Sequence, residues 1–238
     1  MSFLNAEWRK LAMVNYLVNP KILEKYLPYG TILDLWKNKC YVSLVGFMFL
    51  DTKLLGIKIP FHVNFEEVNL RFYVKRVENG IEKRGVVFIK EIVPKAALTF
   101  VANTIYKEHY ETLNMKHFWV QNTNQIEVEY LWKKAEIWNS IKVCGANELY
   151  ELEADSEAEF ITEHYWGYAR IDQTKTNEYE VKHPKWKVYN IDNYQINVDF
   201  ATIYGEEFGF LSNEKPFSVM LAEGSKISVE NKKRIGKL

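Results

Sequence analysis

One stretch of this chain constrains its fold more than any other: Phe65-Glu66-Glu67-Val68-Asn69-Leu70-Arg71-Phe72-Tyr73-Val74-Lys75. Read as a strand, its side chains alternate between two faces. Val68, Leu70, Phe72 and Val74 share one face with no charge among them, which calls for an apolar covering layer. Glu67, Asn69, Arg71 and Tyr73 share the other, bordered by Phe65. That row has two readings. It is the wet face of a half-exposed antiparallel strand, or the polar wall of a pocket, with an acid, an amide and a guanidinium coupled at steps of two.

Composition sets the frame around this strand. A chain of 238 residues is long enough for one large β-rich domain or two small ones. Its 47% hydrophobic and 15% aromatic content belongs to a compact globular protein. Lys plus Arg equals Asp plus Glu, 31 against 31, and no basic stripe appears, so neither nucleic acid nor a membrane surface is the expected partner. Cys40 and Cys144 have no metal spacing and are too few for a disulfide framework, which suits reduced thiols in a cytoplasmic protein. The first 30 residues carry Arg9, Lys10, Lys21 and Lys25, with no signal-type apolar core. The longest uncharged runs, Cys40 to Leu50 and Ala96 to Tyr106, are about half a membrane span. With no linker or repeat, the expectation is a single domain over residues 1–230 and a frayed basic tail over 231–238.

Along the chain, Trp8 to Val18 reads as a strand, and Asn19-Pro20 as the start of a short helix ended by Pro28 and Gly30. Thr31 to Trp36 and Cys40 to Leu50 read as a hairpin across Lys37-Asn38-Lys39, with Gly46 marking a bulge or bend. Glu78-Asn79-Gly80 turns the central strand into Gly85 to Ile92. Pro94 opens a helix to about Tyr106 whose Ala97, Phe100, Val101, Thr104 and Ile105 form a buried stripe, expected to cover Val68, Leu70 and Phe72. A meander follows: Lys116 to Gln121, Gln125 to Lys133 and Ser140 to Gly145. Ser156-Glu157-Ala158-Glu159 has the form of a capping box. Tyr165 to Ile171 and Tyr179 to Val188 read as a hairpin around a polar loop of Thr174, Lys175, Thr176 and Asn177. Residues 190–213 are ambiguous, and Phe217 to Ala222 is a last strand.

These signals in this order resemble a known family. Asn15-Tyr16, Pro20, Leu23, Leu27-Pro28-Tyr29-Gly30, then Tyr41-Val42-Ser43-Leu44-Val45-Gly46-Phe47 and Phe65 to Val74 are similar to the YqjF-like family of uncharacterised conserved bacterial proteins. Gly85-Val86-Val87-Phe88, Glu163-His164-Tyr165-Trp166 and His183-Pro184-Lys185-Trp186 extend the likeness over nearly the whole chain. The resemblance implies an acetoacetate decarboxylase-like fold: α+β, a mostly antiparallel, cone-shaped β-barrel with a few flanking helices around a cavity. It does not imply the decarboxylase's chemistry. That enzyme uses a tandem lysine in a Gly-Phe-Pro-Lys-Lys motif, whereas this chain reads Ile105-Tyr106-Lys107-Glu108-His109-Tyr110, with one lysine beside a carboxylate. A neighbouring carboxylate favours the ammonium form, the wrong direction for an amine nucleophile.

The ligand-pocket candidates are therefore Glu67, Asn69, Arg71 and Tyr73, with Arg9, Lys107, His109 and Tyr110 behind them. The five histidines form no metal-ligand spacing, Glu163-His164 reads as a helix terminus, and no phosphate loop or nucleophile elbow is present; no metal or cofactor is expected. The leading expectation is a small organic acid or related metabolite bound in the barrel, with Arg71 gripping a carboxylate and Glu67 and Asn69 fixing its fork. One alternative is an enzyme acting on such a ligand with Glu67 as the base. The other is an oligomeric interaction protein, a homo-oligomer without a ligand.

Overall fold

The computed structural model describes residues 2–236, with the side chains of all but Ile105 and Tyr106. Fourteen strands form one continuous sheet. They are β1 (Leu4–Leu17), β2 (Ile32–Leu33), β3 (Tyr41–Leu54), β4 (Phe65–Glu78), β5 (Ile81–Val93), β6 (Tyr110–Thr112) and β7 (Asn114–Gln121). The rest are β8 (Gln125–Lys134), β9 (Ile137–Tyr150), β10 (Trp166–Arg170), β11 (Lys175–Lys182), β12 (Val188–Asn197), β13 (Ser218–Val229) and β14 (Lys233–Gly236). Helices α1 (Ala96–Val101), α2 (Glu157–Thr162) and α3 (Phe200–Tyr204) are short.

The sheet closes on itself. Strands run β11-β10-β5-β4-β3-β1-β13, and β13 returns to β11 through Val181 opposite Val229. All pairs in this ring are antiparallel except β10 with β5. The α+β, mostly antiparallel architecture matches the expectation from the sequence. From β13 the sheet continues outward through β12, β9, β8 and β7.

This outward wing explains the apolar face of β4. Val68, Leu70, Phe72 and Val74 join one buried cluster with Val128, Tyr130 and Trp132 of β8, Ile141 and Val143 of β9, and Phe200 of α3. Each such side chain contributes about 1.5–3 kcal/mol when fully buried. Gly46 belongs here: a Cβ on it would come within 2.8 Å of the Tyr130 ring. The expected bulge lies across from it instead, in β1, where Lys10 takes φ 54° between the Arg9 and Ala12 pairings.

The helix after Pro94 does not cover that face. Phe100 is 71% exposed, Ala97 and Thr104 are exposed, and Ile105 lies outside the described side chains. The wing already occupies the apolar side of β4, so α1 and the π-helical turn Ala102–Tyr106 sit over the opposite end and turn Leu98, Val101 and Ala102 inward. Other expectations need correcting. Lys37 and Asn38 turn the chain with positive φ, but Ile32–Leu33 pairs with β4, because both edges of β3 are taken by β1 and β4. The polar loop before Tyr179 is strand: Thr176 and Asn177 are buried in β11. The tail is not frayed through Gly236, since β14 pairs with β11; residues 237–238 lie outside the described residues. The ambiguous 190–213 segment resolves into β12, α3 and a 3-10 helix, Glu206–Ser212. No helix among the described residues is long and apolar enough to cross a membrane.

Candidate functional site

The ring encloses a chamber of about 370 Å³, within the usual range of ligand pockets. Every strand of the ring lends it a side chain: Trp8, Phe47, Glu67, Glu91, Trp166, Tyr179 and Val229 are examples in chain order. Phe49, Phe65 and Phe88 make much of the wall apolar, and the α1 segment closes one side.

Into this apolar setting three carboxyl groups are buried: Glu67 and Glu91 at 2% exposure and Glu108 at 7%. Each arrives by a different device. Glu67 follows the simple alternation of β4. Glu91 depends on a bulge in β5, where Leu70 pairs with Lys90 but Arg71 already pairs with Phe88. The extra residue, Ile89, turns outward into the core, and Phe88 and Glu91, three apart, both face the chamber. Glu108 follows Lys107, whose left-handed φ of 64° ends the π-helical turn and swings the next side chain inward.

Hydrogen bonds hold Glu67 and Glu108, and none of the three carboxyl groups has an ion pair among the described residues. Asn69 Nδ2 donates to Glu67 Oε1 at 3.0 Å, and the Tyr110 hydroxyl donates to Glu67 Oε2 at 3.2 Å. The Tyr179 hydroxyl donates to Glu108 Oε1 at 2.8 Å. Tyr179 can lie there because its cross-strand partner is Gly167, where a Cβ would come within 2.2 Å of the Tyr179 ring. Tyr110 is fixed in turn by Asn103, whose amide bonds both its backbone N–H and its carbonyl. Burial, only partly offset by these donors and by the Arg71 charge, raises Glu67 to about 7. Burial and the Glu67 charge raise Glu108 to about 7. Glu91 is pushed well above the carboxylate range by burial and by both other glutamates, and it also meets the Tyr110 hydroxyl. Glu91, Tyr110 and Glu67 thus sit together as buried titratable groups whose charges bear on one another.

Arg71 lines the same chamber at 8% exposure and makes no hydrogen bond or ion pair with any described residue; its Nε is fully buried. Its guanidinium lies 5.8 Å from the centre of the Tyr73 ring. His164 lines the chamber too. Its Nε2 lies 3.1 Å from Asp34 Oδ2, and Arg84 Nε donates to the same oxygen at 2.7 Å. Burial lowers His164 to about 4, and the hydrogen bonds from His164 and Arg84 keep Asp34 below its ordinary value despite burial. A neutral ring beside a carboxylate carries its proton on Nε2, which leaves Nδ1 a buried acceptor with no described partner.

The polar row of β4 is therefore not a wet face: Glu67, Asn69 and Arg71 all face the chamber. Tyr73 is buried beside it, its hydroxyl bonded to Ser43 Oγ at 2.7 Å and its ring against His164. The expected fork does not form. Asn69 fixes Glu67, and neither residue bonds Arg71. Of the other candidates, Tyr110 enters the chamber, while Lys107 and His109 are exposed. Arg9 lies outside the lining, bonded to Glu7 at 2.7 Å. Glu163 caps α2 and His164 follows it, as the sequence places them, but the His164 ring bonds Asp34 rather than the helix end. Glu91, Glu108, Tyr179 and Asp34 were not singled out; the one signal for Glu108 was its place beside Lys107. No group of three metal-ligating side chains occurs among the described residues.

Solved structures share the architecture. Acetoacetate decarboxylase from Legionella pneumophila aligns with a TM-score of 0.66 at 12% identity, over 98% of this chain and 87% of that one. An acetoacetate decarboxylase-like enzyme from Sphingomonas wittichii aligns at 0.64 and 10%, over 100% and 95%. The enduracididine biosynthesis enzyme MppR, complexed with pyruvate, aligns at 0.66 and 9%, over 98% and 91%. At such identities the likeness shows the fold alone. No curated protein matches the chain. The sequence model of DUF2071, uncharacterised conserved proteins, matches residues 5–226.

Proposed function

Because the chain belongs to the DUF2071 family of uncharacterised conserved proteins, a family whose description specifies no reaction, we propose from the chamber's chemistry that it binds a small organic acid there. The observation that carries this reading is Arg71: a guanidinium more than nine-tenths buried in a cavity, with no carboxylate or other acceptor bonded to it. An isolated buried cation is costly, and a ligand carboxylate offers the two parallel acceptors that a guanidinium fits. A chamber of about 370 Å³ suits this reading better than an interaction protein without a ligand. A protein of the same fold that was solved with pyruvate, a small organic acid, supports it from outside.

A second reading adds catalysis. Glu67 and Glu108, both raised to about 7, are poised to take or give a proton at neutral pH, and the Tyr110 hydroxyl is bonded to Glu67. Schiff-base chemistry has no support, since no described residue lining the chamber is a lysine.

The test is a thermal-shift screen of monocarboxylates of two to nine carbons, each beside its primary amide, with mass spectrometry of acids released on denaturing the purified protein. The expected result is that one or more carboxylates, and not their amides, raise the melting temperature. A screen in which no carboxylate acts and no acid is released overturns the proposal.

A further inference from the structure

Resting on the organic-acid reading, we infer that the chamber's ligand is an amino acid with an apolar side chain: Arg71 takes its carboxylate, and Glu91 with Asn69 takes its ammonium group. The polar atoms left without partners define this ligand. Arg71 Nε is a donor, while Asn69 Oδ1 and Glu91 Oε2 are acceptors, and all three are buried in residues that line the chamber. Asn69 gives its amide N–H to Glu67, and its carbonyl oxygen is left buried without a partner.

The two acceptors are neighbours. Asn69 and Glu91 are direct partners across β4 and β5, which brings their side chains within about 5 Å on one face. Arg71 lies two residues further along β4, about 7 Å away. The donor and the paired acceptors thus sit within reach of one small zwitterion. An ammonium group carries three N–H donors and no acceptor, so it satisfies both oxygens at once. A hydroxyl in its place carries no charge and gains nothing from the three carboxyl groups, which weakens its binding relative to an ammonium. The charge argument agrees. Three glutamates line the chamber, and among the described residues that line it Arg71 is the one side chain of fixed positive charge. The aromatic wall of Trp8, Phe47, Phe49 and Phe88 offers an apolar side chain its contact surface.

Binding then moves a proton. Burial and the two neighbouring glutamates favour the protonated form of Glu91. When the ammonium docks, the carboxyl ionises against it, and one proton leaves to solvent for each ligand bound.

Alanine, leucine and phenylalanine, each beside its 2-hydroxy counterpart, are titrated calorimetrically at pH 7 in two buffers of different ionisation enthalpy. At least one amino acid is expected to bind about tenfold tighter than its hydroxy partner, with release of about one proton per ligand. Glu91→Gln, a neutral amide of the same shape, is expected to weaken that amino acid about tenfold and erase the preference. The comparison within the parent protein stands even if the variant misfolds. Hydroxy acids that bind as tightly as the amino acids overturn the inference and leave the organic-acid reading standing. If no compound of either series binds, the inference falls, and the organic-acid reading is decided by the thermal-shift screen.

Discussion

Two sets of buried glutamates share this barrel and are treated in opposite ways. Glu178 of β11 has a side chain only 1% exposed and is met by Arg76 at 3.1 Å and Lys83 at 2.9 Å, which also hold Glu78. The carboxylate is compensated within the protein, and the cluster ties β11 to the β4–β5 hairpin. Glu67, Glu91 and Glu108 are as deeply buried but meet tyrosines and an amide, while the one cation in their chamber, Arg71, is left unbonded. The first arrangement satisfies itself. The second holds acid and base apart, as a site does when its partner comes from outside.

The largest effect should come from stripping the compensation in the first set. Arg76→Met with Lys83→Met leaves Glu178 buried and unpaired, and is expected to destabilise the fold by about 3 kcal/mol in urea unfolding. A loss near zero would mean that Glu178 is not held by these cations.

A smaller effect, with a definite sign, should come from the second set. Glu67 and Glu108 are raised in the folded state to about 7. The folded protein therefore binds more protons than the unfolded chain between about pH 4.5 and 7. Their contribution to stability is fully present below that window and is lost as pH rises through it, on the order of a few kcal/mol. His164, lowered to about 4, acts in the opposite direction, its contribution being lost as pH falls from about 6.5 toward 4. Unfolding measured across pH 4.5–7 for the parent and for Glu67→Gln/Glu108→Gln separates the two. The variant should lose the decline, and parallel curves would show that these carboxyls titrate normally.

How much of this contrast could be read from the sequence follows from the local geometry of each residue. Glu67, Asn69 and Arg71 were legible because β4 alternates without interruption from Phe65 to Val74. Glu91 was not, because strict alternation from Phe88 puts it on the outer face, and only the bulge at Ile89 returns it inward. Glu108 was hidden by one left-handed residue, Lys107, whose φ nothing in the local pattern announced. The helix after Pro94 was found, but its facing was inverted: its apolar residues had two possible partners, and the wing of β7–β9 had taken the one on β4. Asp34 and His164 are 130 residues apart, and the pairing of β2 with β4 and of β10 with β5 brings them together.

A still smaller effect on stability is expected of Glu91→Gln. Burial and the neighbouring glutamates favour the neutral acid at Glu91, which an amide resembles, so the change should shift unfolding at pH 7 by about 1 kcal/mol or less. A loss of several kcal/mol in the melt would place Glu91 with Glu178, as a structural carboxylate.

The contrast turns finally on Arg71. Arg71→Met removes a buried charge that has no bonded partner and keeps most of the side-chain volume. Thermal melts should therefore change by no more than about 0.5 kcal/mol in stability, or show a gain. Calorimetric titration of the best carboxylate from the thermal-shift screen into parent and variant is the direct measurement. The account predicts a loss of at least about tenfold in affinity with the fold intact. Unchanged affinity in Arg71→Met would contradict it.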